Sequence, residues 1–212
     1  FLKNEDKRQE RIDVTSEMVN LVLHTSLPSL NEGAPFTLAT VADKDRKTEW
    51  EFSFTALPEK RTRELRDVVF AYETYNKFLN EQGDWDKAIP GGYLTGFVDL
   101  LFRKDGRFYI ADWKSNRRNG TQADFGQAGL KDEVARHSYW LQYLIYTVAV
   151  HQFLSKSLTG YKYEKHFGGI YYVFLRGVDG KQDAQGHANG IYMDRPELDL
   201  VKKLSGILGD FS

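Results

Sequence analysis

The sequence contains no cysteine, which excludes disulfides and thiolate metal sites outright and agrees with a reducing, cytoplasmic setting. No apolar run approaches the roughly 18 residues of a membrane span. The longest candidate, Trp140 to Leu154, is broken by Gln142, His151 and Gln152, so no membrane association is expected. Charge of one sign is also lacking. A formal net charge of -1 gives no global signature of nucleic-acid binding, and any affinity for DNA must come from a local patch. There is no internal repeat, no low-complexity tract and no signal-peptide pattern. The chain starts at Phe1 and has only Met18 and Met193, so a fragment of a longer polypeptide is expected.

What is present is a core. At 212 residues with 41% apolar and 14% aromatic side chains, the chain can fold as a single domain, 1–212. Within it we expect a helical and strand portion (1–90), a catalytic core (91–194) and a C-terminal helix (195–212).

Residues 11–24 read as a helix with Ile12, Val19, Val22 and Leu23 on an apolar side. Thr48 to Thr55 alternates, placing Trp50, Phe52 and Phe54 on one side of a strand. Residues 62–80 carry a helical stripe of Leu65, Val68, Val69, Tyr72 and Tyr75. Ser115 to Gly129 reads as a polar loop, and Asp132 to Ser155 as one long helix. Ile170–Leu175 is a buried strand, Asp179–Gly190 an exposed loop, and Pro196 opens a final helix apolar at Leu198, Leu200, Leu204 and Leu208. Strands framed by helices predict an α/β fold with a mixed central sheet.

The chemistry concentrates in a predicted hairpin. Tyr93–Phe102 and Arg107–Trp113 flank Asp105-Gly106, a preferred type I′ turn pair. Counting outward from that turn sets Asp99 directly opposite Asp112, as a non-hydrogen-bonded pair with Cα atoms about 4.5 Å apart. Lys114, two residues further, joins them on the same face, with Phe97, Leu101, Phe108 and Ile110 expected to be buried around them. Two carboxylates about 5 Å apart repel by roughly 3 kcal/mol at an effective dielectric near 20. A divalent cation removes that cost, and all-oxygen ligands suit magnesium, with manganese as the alternative. The plainer reading is an ion pair in which Lys114 neutralises one aspartate at a strand end. On the long helix Gln142 and Tyr146 are four apart and share a face. A glutamine in so apolar a stretch needs partners, either structural ones or a ligand. Arg103, Lys104, Arg107, Lys114, Arg117 and Arg118 make the hairpin locally basic, which could line a phosphate path or could be solvated charge.

Gly96-Phe97-Val98-Asp99, Asp112-Trp113-Lys114 and Gln142 through Tyr146 resemble the G-x-x-D, D-x-K and Q-x-x-x-Y motifs of the PD-(D/E)XK nucleases. More narrowly, Leu141-Gln142-Tyr143 through Thr147, His151, His166-Phe167-Gly168-Gly169-Ile170 and Phe174 through Val178 look like the nuclease domain of RecB-type helicase–nuclease subunits. The resemblance is dense over residues 93–194 and thin before them. It implies a restriction-endonuclease-like core and a magnesium-dependent, ATP-coupled exodeoxyribonuclease of double-strand break repair and recombination. Asp99, Asp112 and the backbone carbonyl of Trp113 would hold the metal, Lys114 would activate water and offset charge, and Gln142 and Tyr146 would support the site. Arg103, Arg117 and Arg118 are candidate DNA contacts. DNA, single-stranded at the site, and RecC, RecD and RecA are the implied partners.

One element of the family pattern is missing: the metal-binding histidine of a G-T-x-x-H-x-x-F-E helix. His24, His137, His151, His166 and His187 do not match it. The resemblance therefore implies impaired metal binding in this fragment. Two rivals stand beside this reading. One is a Cas4-like or AddAB-type nuclease, which typically carries clustered cysteines. The other is a nuclease-like module that binds DNA or a recombinase without cleaving.

Overall fold

In the computed structural model Asp105 and Gly106 both have positive φ, 50° and 78°, as a two-residue type I′ turn requires. They join β2 (Leu94–Lys104) to β3 (Arg107–Lys114), and the register counted from the turn runs from Lys104↔Arg107 to Leu100↔Ala111. The structure describes residues 2–29, 33–54, 59–76, 94–116, 125–183 and 185–209.

Around this hairpin the sheet is completed from both sides. β1 (Arg46–Phe54) pairs antiparallel with β2, β4 (Phe167–Phe174) parallel with β3, and β5 (Ile191–Asp194) antiparallel with β4. The order is β1-β2-β3-β4-β5, a mixed five-stranded sheet as expected. β4 is buried at every position, which is why its sequence is an unbroken apolar and aromatic run.

The helices are α1 (Leu2–His24), α2 (Glu59–Phe70), α3 (Glu73–Asn76), α4 (Gln127–Arg136), α5 (Tyr139–Ser157), α6 (Tyr163–His166) and α7 (Leu198–Leu208). Leu144 and Val148 of α5 and Leu204 of α7 pack with Phe52, Val98, Leu101, Ile110 and Tyr172 on one sheet face. The other face carries a smaller cluster, in which Val22, Leu27, Phe36 and Leu38 meet Leu100, Phe102, Tyr109 and Tyr171. Among the described residues no helix is long and apolar enough to cross a membrane.

Four expectations are corrected. The predicted helix over 132–155 is two helices, because Ser138 adopts a left-handed conformation (φ 53°) and turns the chain between α4 and α5. The predicted loop over 115–129 is partly structured: Phe125 is buried and α4 starts at Gln127. The stripe over 62–80 is divided between α2 and α3, with residues 77–80 outside the described residues. On α1, Ile12 and Val19 are each 47% exposed, and among the described side chains it is the C-terminal end that packs, through Val22 with Leu21 and Leu23 beside it.

A fifth correction bears on the site. Phe97 was expected inside, yet it is 48% exposed. The cause is a reversal of facing along β1 and β2. Val98 and Trp50 belong to the α5-side cluster, whereas Leu100, which simple alternation would place beside Val98, belongs to the opposite one. The pairing passes from Trp50↔Val98 to Thr48↔Leu100, with Glu49 and Asp99 between them, and Glu49 has a left-handed φ of 49°. The kink turns Phe97 outward.

Leu144→Ala should cost about 3 kcal/mol in urea unfolding, since Leu144 is fully buried. Ile12→Ala should change stability by less than about 0.5 kcal/mol. A large Ile12 effect would show that α1 is packed along its length.

Candidate active site

The β2–β3 pairing stops at Leu100↔Ala111, just before Asp99 and Asp112. Beyond that point a side chain takes over from the ladder: the Trp113 N–H donates to Asp99 Oδ2 at 2.8 Å. The hydrogen bond fixes the half-buried Asp99 carboxylate beside the β3 backbone.

Asp112 and Lys114 alternate on β3 and point to the α5 side of the sheet, where both are buried at 4% and 8% exposure. Lys114 Nζ lies 2.6 Å from Asp112 Oδ2 and donates to Gln142 Oε1 at 2.7 Å. Two aromatic faces complete its enclosure, with Nζ 4.1 Å from the Tyr139 ring centre and 4.6 Å from that of Tyr172. Such cation–π contacts strengthen when desolvated. A lysine with no acceptor capacity fixes the amide: Gln142 must turn its oxygen to Lys114, which leaves its nitrogen for the Tyr146 hydroxyl at 2.9 Å. The Tyr172 hydroxyl lies 2.9 Å from both Gln142 Oε1 and the Tyr139 carbonyl and has one hydrogen to share between them. Of the two readings left open for Gln142, the structure gives it structural partners.

Burial dominates the electrostatics of the site. Burial raises the Asp112 carboxyl from its ordinary 3.8 to about 6; the Lys114 ammonium pulls it down, and the Asp99 carboxylate adds to the rise. Burial, followed by the charges of Asp112, Asp99 and Glu49, pushes the Tyr146 phenol up. The Asp99 charge reaches Asp112, but the ladder does not pair the two as the count from the turn expected. Lys114 pairs with Asp112, the contact that the plainer reading names.

The same interaction reveals Glu49, which sequence reasoning left on the outer side of its strand. The reversal in β1 sets it between the pairs flanking Asp99, at an exposed position. Its left-handed backbone has no signature in a plain alternating strand. Glu133 was also missed. It is buried on α4, accepts from Asn116 Nδ2 at 3.0 Å and lies 3.0 Å from His137 Nε2. Asn116 in turn accepts from the Tyr139 hydroxyl, whose ring faces Lys114.

A divalent cation fits the chemistry of this donor set. Asp99 and Asp112 offer hard oxygen ligands, and a cation beside them would offset the cost of burying the Asp112 charge. Among the described residues no group of three or more His, Cys, Asp or Glu side chains converges into a metal cage. A cation here would keep much of its water, which suits magnesium. His24 lies exposed at the end of α1, with Nδ1 2.9 Å from the Asn20 carbonyl.

Of the candidate DNA contacts, Arg103 is paired with Asp45 through Nε at 2.9 Å and Nη2 at 2.6 Å. Arg117 and Arg118 lie outside the described residues.

The PD-(D/E)XK nuclease superfamily profile matches residues 4–204. The RecBCD enzyme subunit RecB of Haemophilus influenzae is 40% identical over 193 residues, covering 91% of this chain and 15% of the relative. RecB of Escherichia coli is 43% identical over 110 residues, 52% of this chain and 9% of that protein. RecB of Mycobacterium tuberculosis strain H37Rv is 36% identical over 193 residues, 82% of this chain and 18% of the relative. The chain therefore spans less than a fifth of the length of each of these relatives.

Because the Asp112 carboxyl is raised in the folded state, folding takes up a proton between about pH 4 and 6. The stability it contributes is greatest below pH 4 and is lost as the pH rises through about 6. With divalent ions chelated, Asp112→Asn should therefore gain stability relative to the parent over that interval, by up to roughly 3 kcal/mol, and then level off. Denaturant titrations at several pH values measure the difference. A flat difference would mean that the Asp112 carboxyl is not raised.

Proposed function

Because the chain belongs to the PD-(D/E)XK nuclease superfamily, we propose that it hydrolyses DNA phosphodiesters with magnesium as cofactor, as the nuclease portion of a RecB-like helicase–nuclease subunit. The observation that carries this reading is the buried Asp112–Lys114 pair, with Asp99 alongside and Gln142 closing over the ammonium. The superfamily's D-x-K and Q-x-x-x-Y residues meet here in one contact.

Each residue has a distinct task. Asp99 and Asp112 would hold the cation, with the Trp113 backbone carbonyl as a further ligand. A bound magnesium ion supplies Lewis-acid polarisation and a lowered water pKa. Lys114 offers a fixed positive charge to the negative charge that develops on the phosphoryl oxygens. Its surroundings hold it in one place, so little reorganisation is needed at the moment of reaction. Gln142 and the rings of Tyr139 and Tyr172 position Lys114, and Tyr146 positions Gln142. Glu49 adds negative charge on the β1 side, where it can orient water.

For the whole protein we propose an ATP-driven exodeoxyribonuclease working with RecC, RecD and RecA in double-strand break repair, a setting that the likeness to RecB supports. Its substrate at this site is single-stranded DNA.

In the full-length protein, Asp112→Ala and Lys114→Ala should each lower DNA cleavage by at least about a hundredfold while strand unwinding stays near the parent rate. Separate unwinding and cleavage assays across a magnesium titration test this. Near-parent cleavage in either variant would defeat the assignment and favour a module that binds DNA without cutting it.

A further inference from the structure

A cavity of about 280 Å³ opens beside the site and shares Gln142 and Tyr146 with it. Its other walls come from Phe52 of β1, from Leu94 and Gly96 at the start of β2, and from Leu141 and Ile145 of α5. The sheet and helix thus frame a slot whose walls are mainly apolar and aromatic, with Thr95, Ser138 and Gln142 as its polar groups.

Gly96 decides the shape of this slot. A Cβ there would lie 2.5 Å from the tip of the Phe52 ring, so the strand has no room for any side chain at that position. Phe52 is buried and held edge-on to Tyr146, with ring centres 5.5 Å apart at 80°. The wall is therefore closely packed, with the Phe52 ring occupying the space that a side chain at Gly96 would need. Gly96 lies three residues from Asp99, about 10 Å along an extended strand. The slot also shares Gln142, which holds Lys114, so a group seated in it lies beside the candidate site.

We propose that this slot is a subsite for one unpaired nucleobase, next to the phosphate being cleaved. The inference rests on the nuclease reading above and adds what the site selects. The volume lies at the lower limit of pockets that hold small molecules, roughly 300–1,000 Å³. It accepts a single flat heterocycle and has no room for a base pair. Aromatic and aliphatic walls suit a base of any sequence, because every base presents a π-face. Thr95 can meet a base edge without reading it in full, Gln142 being held by Lys114, Tyr146 and Tyr172. A duplex cannot offer a base to the slot until its strands are separated, so the slot favours single strands on steric grounds.

The test is an abasic scan of the full-length protein. Single-stranded oligonucleotides, each carrying one abasic residue at a different position, are cleaved with magnesium under single-hit conditions, and the cut sites are mapped. Loss of the base that fills the slot should reduce cutting at one fixed offset from the abasic residue by about fivefold to a hundredfold. Ile145→Trp, which fills the slot, should cut more slowly and show no such offset. A flat scan in the parent protein, with intact strands still cleaved, would overturn the base subsite and leave the nuclease reading standing. Failure to cleave the unmodified strand would overturn both.

Discussion

The buried contact between Lys114 and Asp112 is the constraint on which the arrangement of this protein turns. An ammonium and a carboxylate taken out of water lose several kcal/mol of hydration each, and their mutual attraction restores it only when further polar partners are in place. Those partners come from three separate parts of the chain. β3 supplies the pair itself, α5 supplies Gln142 and Tyr139, and β4 supplies Tyr172. The packing of α5 on the sheet is thus fixed by polar geometry as well as by the apolar cluster of Leu144 and Val148. A shift of α5 by one residue would leave the Lys114 ammonium facing hydrocarbon.

Much of this was legible in the residues, for identifiable reasons. Asp105-Gly106 specifies a type I′ turn, and a two-residue turn fixes the register of everything beyond it. The shared facing of Asp112 and Lys114 follows from the alternation of β3, whereas Asp99 lies just beyond the last ladder pair and is held through the Trp113 N–H instead. The run from Ile170 to Leu175 is apolar without alternation because β4 is covered on both faces. The illegible parts are those where a backbone departs from regular geometry with no glycine or proline to announce it. Glu49 and Ser138 both adopt left-handed conformations that disfavour ordinary L-residues. One hid the outward turn of Phe97 and the position of Glu49, and the other hid the break between α4 and α5. Glu133 was hidden differently, since a charged residue on a helix reads as solvated until the fold buries it.

The reversal at Glu49 and Asp99 also explains how a strand can serve two cores. Before it, Trp50, Phe52 and Val98 belong to the α5 side; after it, Leu100 and Phe102 belong to the α1 side. Asp99 occupies the changeover, where its carboxylate is free of the regular ladder and bonds the Trp113 N–H instead. A left-handed residue costs of order 1 kcal/mol or more. Here it lies in β1 at the level of the Asp99 carboxylate, which is where such strain commonly collects.

The parallel pairing of β3 with β4 sets the order in which the parts can assemble. The β2–β3 hairpin closes through contacts a few residues apart and can form while the chain is still emerging from the ribosome. Its partner strand β4 begins at Phe167, after α4, α5 and α6 have been made. Until then Lys114 and Asp112 have neither the Tyr172 ring nor a settled Gln142, and remain hydrated like ordinary surface charges. The candidate site is thus completed late in synthesis, as a unit, and a nascent chain stalled before β4 would carry the β2–β3 hairpin without the partners that enclose Lys114.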